Sequence, residues 1–253
     1  MPAAILARLA LLEARRGGLG WLALAAVVIG LALAGFLSQL ALTESRMLQA
    51  AVVAALLRVC AVFLVAGQVV ASVRREIDDK RLELALSLPL SRAAQYLGRL
   101  AGFIVLGALL ALMFAAPALL WASPLAVACW AVSLACELAL VAAAALFFAM
   151  TLAQLVPALA ATIGLYLLAR SVSAIQAIAA GPLAPENLLQ ALAQHALSLV
   201  AVLLPALDRT TRTDWLLYGP PDGQSFWLGV TGALLYTALL AAAGVFDFQR
   251  RAS

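Results

Sequence analysis

The stretch RREIDDKRLELALSLPLSR, residues 74–92, separates two long apolar runs and decides how the chain is organised. Eight of its first ten residues are charged, although charged residues make up only 11% of the whole sequence. Opposite charges lie four residues apart, at Arg75 and Asp79 for example, which favours a helix. Two interpretations stay open: an ordered amphipathic helix to which a partner docks, and a solvated loop whose charges only orient the chain.

The end of this stretch carries signals for a helix stop followed by a helix start. Pro89 cannot donate a backbone hydrogen bond and disfavours helical geometry at Leu88, so it ends the first helix. Ser91 is well placed to cap the helix that follows. The sequence therefore predicts a short polar rod over residues 74–88, joined by a rigid elbow to the next membrane span.

The rest of the chain is strongly apolar. Hydrophobic residues make up 66% of the sequence and the mean hydropathy is +1.08, whereas a soluble domain is about half apolar and about a quarter charged. The apolar runs are continuous, unlike the alternating segments of about ten residues that build membrane barrels. These features predict an all-α integral membrane protein in which residues 1–253 form a single domain embedded in the lipid bilayer.

Six apolar runs are long enough, or nearly so, to cross a hydrocarbon core of about 30 Å, which takes about 20 helical residues. Short polar turns join several of these runs, and such turns predict tight antiparallel hairpins. The runs cover residues 20–42, 47–73, 97–121, 125–152, 155–172 and 226–246.

The region between the fifth and the last run is ambiguous. Gly181-Pro182 and Pro185 break the fifth helix, and residues 187–207 are then long enough either to span or to lie shallowly at the outer surface. Basic residues are enriched on the inner side to the same extent in a six-span and in a seven-span topology. The positive-inside rule therefore does not distinguish the two topologies. Both arrangements place the N-terminus and the charged stretch in the cytoplasm.

Residues 3–16 have the pattern of a helix that lies along the membrane surface. Ile5, Leu9 and Leu12 fall on one side, with arginines beside them. A cleaved signal peptide is the competing interpretation, but the charged lead-in and the length of the following apolar run disfavour it. We therefore expect an N-terminal interfacial helix.

The charged stretch also carries a sequence resemblance. Glu76, the run LELALSLPLSR at residues 82–92, and Gly98-Arg99 together resemble the segment between the second and third spans of type-2 ABC exporter permeases. That family's pattern reads approximately E-x-x-x-G-T-L-E-x-L-L-S-x-P-x-S-R, followed by G-K. Here Lys80-Arg81 replaces Gly-Thr, and Arg99 replaces the lysine with its charge kept. A weaker likeness extends to LLPALDR, residues 203–209.

The resemblance implies the membrane subunit of an ATP-driven exporter in a bacterial inner membrane. Such a permease has six spans, with short outer-leaflet helices between the fifth and sixth. It pairs with a second permease subunit, here expected to be an identical copy, and each half binds one ATPase subunit. Because those two ATPase copies hold ATP and Mg²⁺, this chain is expected to bind no cofactor and not to be an enzyme.

The resemblance further implies that the charged stretch is a coupling helix. Such a helix sits in a cleft of the ATPase and transmits the closure of the ATPase dimer to the membrane spans. The residues expected to contact the ATPase are Arg75, Glu76, Asp79, Lys80, Glu83, Leu86, Ser87, Pro89, Ser91 and Arg92.

Two charged residues, Arg58 and Glu137, lie near the middle of the second and fourth runs. An ionised group at that depth costs roughly 2–3 kcal/mol or more unless it is paired or faces water. We expect the two side chains to pair and hold their helices together. Two alternatives stay open: the two residues line a transport route, or each is stabilised by a different local partner. His195, the only histidine, is expected to be an interfacial residue rather than a metal ligand.

The remaining function classes find less support in the sequence. No GxxxxGK[ST], HExxH or GxSxG motif occurs, so ATP or peptide hydrolysis by this chain is not indicated. Nucleic-acid binding is not indicated either, because membrane orientation explains the basic residues at the ends of the runs. The alternative function is a proton-coupled secondary carrier that uses Glu137, although the halves of the chain show no internal repeat.

Overall fold

A computed structural model describes residues 11–14, 16–40, 45–79, 91–152, 154–179 and 188–250. Within these ranges the chain forms helices and turns, and no β-strand occurs. Six of the helices are long and apolar enough to cross a membrane. The predicted all-α, multi-pass membrane architecture is therefore confirmed at this level.

The six long helices follow one another with one insertion of shorter helices before the last. A 3₁₀ turn, Ala116–Leu120, extends the third helix, and a second, Leu207–Arg209, lies within the insertion. The α-helices are α1 (Leu19–Leu40), α2 (Ser45–Asp78), α3 (Arg92–Ala115), α4 (Pro124–Thr151), α5 (Leu155–Ala179), α6 (Leu188–Leu203), α7 (Asp214–Tyr218) and α8 (Gly223–Arg250).

Serine side chains cap the N-terminal ends of α3 and α4. The Oγ atom of Ser91 accepts a hydrogen bond from the backbone N–H of Ala94 at 3.3 Å, which confirms the predicted cap of α3. Ser123 caps α4 in the same way, and Pro124 occupies its first turn, where a missing N–H costs nothing. These caps fix where the chain re-enters the bundle.

Helix α4 forms the centre of the bundle and packs against α2, α3, α5 and α8. Its middle is a run of alanines at residues 142–145, all fully buried, and small residues let neighbouring helix backbones approach closely. Gly107 of α3 serves the same purpose, because a Cβ atom there would lie only 3.1 Å from the Cβ of Leu138. The centre is therefore held by close packing of small side chains.

Because six spans alternate in direction, α1 begins and α8 ends at the same face of the bundle, here called the terminal face. The end of α2, the start of α3 and the end of α4 lie at this face as well. The other end of the bundle, called the opposite face, holds the turns between α1 and α2 and between α3 and α4.

The chain between α5 and α8 enters the bundle from the opposite face and returns to it. Helix α6 runs antiparallel to the end of α5, since Gln194 donates a side-chain hydrogen bond to the carbonyl of Ala179 and Gln176 donates to that of Leu197. Beyond α6, the carbonyl of Leu207 contacts Arg170, which lies nine residues, or about 14 Å, before the end of α5. Residues 204–213 thus form a re-entrant turn inside the bundle.

In the described part of the chain, the re-entrant turn favours the six-span topology over the seven-span topology. Helix α6 has 16 residues and is not among the six helices long enough to span. The fifth span is longer than predicted, because α5 continues to Ala179 instead of ending near residue 172. Short helices between the fifth and sixth spans, expected from the resemblance, are present as α6 and α7.

Candidate functional site

Glu137 of α4 is fully buried in the middle of the bundle and forms the centre of a polar cluster. Its Oε1 atom accepts a hydrogen bond from the Tyr166 hydroxyl at 2.7 Å. The same oxygen lies 3.4 Å from Nη1 of Arg170, so Glu137 and Arg170 form an ion pair between α4 and α5. A buried carboxylate requires such partners, because loss of hydration costs several kcal/mol, on the order of the attraction the pair regains.

Arg170 also binds the backbone of the re-entrant turn. Its Nη1 atom donates to the carbonyl of Leu207 at 2.9 Å and to that of Thr210 at 3.4 Å, while Nη2 lies 3.5 Å from the carbonyl of Thr211. Backbone carbonyls outside regular helices need hydrogen-bond donors at membrane depth, since no water is available there. The planar guanidinium group supplies several donors from one side chain.

Arg58 of α2 also binds the backbone of the re-entrant turn. Its Nη1 atom donates to the carbonyl of Thr211 at 3.0 Å. Thr211 is fully buried and has a positive φ of 47°, and its backbone N–H donates to the Oγ of Ser133 at 2.7 Å. The strained backbone at Thr211 is therefore held by hydrogen bonds to side chains of three helices, α2, α4 and α5.

The structure brings Arg58 and Glu137 into one cluster but corrects the predicted direct pairing. Arg170, not Arg58, forms the ion pair with Glu137. The reason is the re-entrant turn, whose Thr211 carbonyl takes the guanidinium of Arg58. The buried cluster, defined here as Arg58, Ser133, Glu137, Tyr166, Arg170 and the turn residues Leu207, Thr210 and Thr211, thus connects three spans to one re-entrant segment.

Sequence reasoning missed Arg170, although one signal could have indicated its role. Arg170 lies near the predicted end of the fifth run, residues 155–172. However, Tyr166 and Arg170 are four residues apart and therefore share one face of α5, and this spacing places both side chains beside Glu137. The contact with the turn at residues 204–213 had no comparable signal, since it joins positions distant in sequence.

A cavity of about 350 Å³ lies on the other side of the re-entrant turn, toward α8. Its walls include Leu204 and Arg209 from the turn, and Gly229, Gly232 and Tyr236 from α8. The turn is thus hydrogen-bonded to side chains of α2, α4 and α5, while toward α8 it borders this cavity and packs against Gly229, where an added Cβ atom would lie 3.3 Å from the Arg209 carbonyl oxygen.

At the terminal face, helix α2 extends well beyond the length that a membrane requires. Its 34 residues make it about 51 Å long, against a hydrocarbon core of about 30 Å. The first five residues of the charged stretch, 74–78, continue α2 rather than starting a separate helix, which corrects the predicted rod at its N-terminal end. Asp79 follows in a turn.

Glu76, near the end of α2, forms an ion pair with Arg99 of α3. Their Oε2 and Nη2 atoms are 2.9 Å apart, and the Arg99 side chain is only 7% exposed whereas that of Glu76 is 30% exposed. The Nε and Nη1 atoms of Arg99 are buried and have no hydrogen-bond partner in the described part of the chain. Glu76 lies near the beginning of the charged stretch, and Arg99 lies seven residues after its end. The pair therefore joins α2 directly to α3.

Of the ten residues expected to contact an ATPase, five lie within the described part of the chain. Arg75 and Asp79 are exposed, Glu76 is partly buried by Arg99, Ser91 caps α3, and Arg92 donates to the carbonyl of Gln249 in α8. The other five lie outside the described residues: Lys80, Glu83, Leu86, Ser87 and Pro89.

The described end of the N-terminal segment packs against α2 at the terminal face. Ala14 is buried, and the Oε2 atom of Glu13 accepts a hydrogen bond from the hydroxyl of Ser72. Residues 11–14 are helical, while residues 3–10 and 15 of the predicted interfacial helix lie outside the described residues.

His195 is exposed on α6, as its predicted interfacial role requires. Within the described ranges, no group of three or more His, Cys, Asp or Glu side chains is arranged to hold a metal ion. Neither a family model nor a curated protein sequence matches this chain.

Proposed function

We propose that this chain is the membrane subunit of an ATP-driven exporter of the type-2 ABC class. The proposal is supported first by the sequence resemblance at residues 76–99. It is supported second by six helices of spanning length with a re-entrant segment before the last. In this arrangement the terminal face is cytoplasmic, and the charged stretch of residues 74–92 is the docking site for a separate ATPase.

The observation that carries the proposal is the Glu76–Arg99 ion pair. It joins α2 and α3 at the two ends of the charged stretch, so a force applied to that stretch acts on both spans. Exposed charges at Arg75, Asp78 and Asp79 surround the pair and provide contacts for a protein partner. A loop that served only to orient the chain in the membrane would need no buried arginine at its base.

Helix α2 offers a direct mechanical connection from this docking site to the buried cluster. Glu76 and Arg58 lie on the same continuous helix, 18 residues or about 27 Å apart. A tilt of α2 driven by the ATPase displaces the guanidinium of Arg58 from the Thr211 carbonyl and so acts on the re-entrant turn. We infer that the re-entrant turn opens and closes the route at the opposite face.

Co-purification tests the docking part of this proposal. The full-length protein is tagged and isolated from its native membrane in a mild detergent, and bound subunits are identified by mass spectrometry and ATP hydrolysis. We expect an ATPase subunit in the wild-type preparation and its loss in Arg75→Glu/Asp79→Lys. Arg46→Glu, at the opposite face, is the matched control and keeps the ATPase. Retention of the ATPase by the first variant would contradict the proposal.

The proton-coupled carrier remains a second candidate because of one observation at Glu137. Its Oε2 atom is buried and has no hydrogen-bond partner in the described part of the chain. This function predicts transport in vesicles that contain the permease alone, driven by a pH gradient and abolished in Glu137→Gln. The exporter predicts no transport in such vesicles.

A further inference from the structure

The cavity between the re-entrant turn and α8 is a feature to which the proposed function assigns no ligand. It encloses about 350 Å³, at the lower end of the range of about 300–1,000 Å³ typical of ligand sites. The turn lines one side with the charged side chain of Arg209 and the hydroxyl-bearing side chain of Thr210. Helix α8 lines the other side, where Gly229 and Gly232 have no side chain to fill the space. The cavity therefore combines one basic group with a largely apolar helix surface.

The position of the cavity in the bilayer follows from α8. This helix has 28 residues and is about 42 Å long, so about 6 Å of it extends beyond each side of a hydrocarbon core of about 30 Å when the helix is centred. Trp227, which is 63% exposed, then lies at the headgroup boundary of the opposite face, where aromatic side chains are enriched. The cavity residues of α8 run from Leu228 to Tyr236, which is about 12 Å along the helix axis. The cavity thus extends from the headgroups to near the bilayer midplane.

Arg209 places a positive charge in this cavity. Its side chain is exposed and forms no ion pair or hydrogen bond within the described part of the chain. By contrast, Arg212 in the same segment is paired with Asp214 at 2.7 Å. The acidic residue next to Arg209, Asp208, does not line the cavity and forms no ion pair with it. An ionised side chain inside a membrane that has no protein partner marks a ligand site or a transport route.

The backbone of the turn fixes the position from which the Arg209 side chain projects. Its N–H donates to the carbonyl of Ala206 at 3.2 Å, and its own carbonyl oxygen lies 3.3 Å from the place that a Cβ atom at Gly229 would occupy. Two residues later, Thr211 is held by hydrogen bonds to side chains of α2, α4 and α5. A cation on a fixed backbone loses less conformational entropy when it binds a ligand than a cation on a mobile loop.

We propose that this cavity binds one single-chain amphipathic anion, a long-chain carboxylate, with its head at Arg209 and its alkyl chain along α8 toward Tyr236. Arginine binds carboxylates through paired N–H donors. The volume, at the lower end for ligand sites, suits one alkyl chain better than the two chains of a phospholipid. A neutral molecule with the same chain would supply no charge to the guanidinium. The proposal does not rest on the exporter function.

Competition binding to the full-length protein tests the site. The purified protein is held in a steroid-based detergent, which has no alkyl chain, and binding of radiolabelled dodecanoate is measured by scintillation proximity. We expect saturable binding that unlabelled dodecanoate displaces. Dodecanol, with the same chain and no charge, should displace it at least about tenfold more weakly. Butyrate, which has the same head without the chain, and phosphatidylglycerol, which has two chains, should also compete weakly.

Arg209→Gln tests the head of the site. It should weaken dodecanoate binding about tenfold or more, the loss expected when a charged hydrogen-bond donor is replaced. Arg209→Lys should retain part of the affinity, because it keeps the charge but not the paired donors. Arg46→Gln is the charge control and should bind like the wild type, because Arg46 is exposed at the opposite face but does not line the cavity.

A matched pair of glycines tests the part of the site that holds the chain. Nothing lies within 4 Å of a Cβ atom added at Gly232 of α8 or at Gly164 of α5, so both positions have room for a larger side chain. Gly232 lines the cavity, whereas Gly164 does not. Gly232→Leu should therefore fill the cavity and abolish dodecanoate binding, while Gly164→Leu should leave it unchanged.

Four outcomes would overturn the proposal. The first is the absence of saturable dodecanoate binding to the wild-type protein. The second is equal displacement by dodecanol and dodecanoate, which would assign the cavity to neutral chains. The third is stronger displacement by phosphatidylglycerol than by dodecanoate, which would assign it to a two-chain lipid. The fourth is an equal loss of binding in a variant and its matched control. Because the measurement needs no ATPase, failure of the docking proposal leaves its reading unchanged.

Discussion

Two ion pairs in the described part of the chain differ in what they hold together. Glu137–Arg170 lies at the centre of the bundle, with a carboxylate that is 0% exposed and a guanidinium that also binds three backbone carbonyls. Glu76–Arg99 lies at the terminal face, with a partly exposed carboxylate and an arginine two of whose nitrogens have no partner among the described residues. The first pair stabilises irregular backbone inside the bundle, whereas the second only joins two helix ends.

This difference predicts different consequences when each pair is broken. Removing Arg170 from the central pair leaves an uncompensated buried carboxylate and takes one donor from three backbone carbonyls, so a large loss of stability is expected. Removing Glu76 from the terminal pair leaves Arg99 without its carboxylate at a site nearer the surface, so we expect a smaller loss of stability together with loss of the coupling of α2 to α3. The substitutions below follow in order of expected effect on stability.

Arg170→Met is expected to have the largest effect. It leaves Glu137 without its ion partner and removes one donor from each of the carbonyls of Leu207 and Thr210, which costs about 3–5 kcal/mol of unfolding free energy. SDS titration of the purified protein measures this loss. A double variant, Arg170→Met/Glu137→Leu, should recover part of it. If Arg170→Met has the same unfolding free energy as the wild type, the buried cluster does not stabilise the fold as described.

Arg58→Met is expected to have the next largest effect, about 1.5–3 kcal/mol, because one charged hydrogen bond to the Thr211 carbonyl is lost. The effect should be local. Hydrogen exchange of the backbone amides at residues 207–213 should become faster, while exchange in the middle of α4 stays slow. Uniform acceleration over all helices would show that Arg58 does not act through the re-entrant turn.

Gly244→Ala tests whether the terminal face depends on close packing as well as on charge. A Cβ atom at Gly244 would overlap the hydroxyl of Tyr96, which is itself buried, so α3 and α8 must separate. We expect a loss of roughly 1–3 kcal/mol in unfolding free energy. Gly232→Ala on the same helix is the control, since nothing lies within 4 Å of its added atom and stability should not fall. Equal effects would contradict this packing.

Glu76→Gln is expected to have the smallest effect on stability, about 1 kcal/mol or less, because its carboxylate is partly exposed. Its effect on function should be much larger. ATP hydrolysis by the co-purified complex should lose its dependence on the permease, and Glu76→Arg/Arg99→Glu should restore it. Arg46→Glu, exposed at the other end of α2, is the control and should leave coupling intact.

The sequence predicted the parts of the fold that follow from local patterns. Apolar runs predicted the six spans, and Ser91 predicted the start of α3, because composition and capping act within one or two helical turns. The extension of α2 through residue 78 was not predicted, since the mixed charges at residues 74–78 permit either a continued helix or a new one.

The site was predicted less completely, because its contacts join distant parts of the chain. Arg58 and Glu137 were identified from the cost of burying charge, and both lie in the buried cluster. Their observed partners include residues 207–211, which lie in the re-entrant turn that follows α6. No local pattern marks that turn, so the direct Arg58–Glu137 pairing was the simplest prediction and needed correction.

The most direct test of the account is a distance measurement between α2 and α8 in the complex with its ATPase. Spin labels replace Arg75 and Gln249 at the terminal face, or Val59 and Leu239 near the depth of the buried cluster, after the three native cysteines are substituted. The account predicts that a non-hydrolysable ATP analogue shifts the 75–249 distance by several ångströms while the 59–239 distance changes far less. An unchanged 75–249 distance in a nucleotide-bound complex would contradict it.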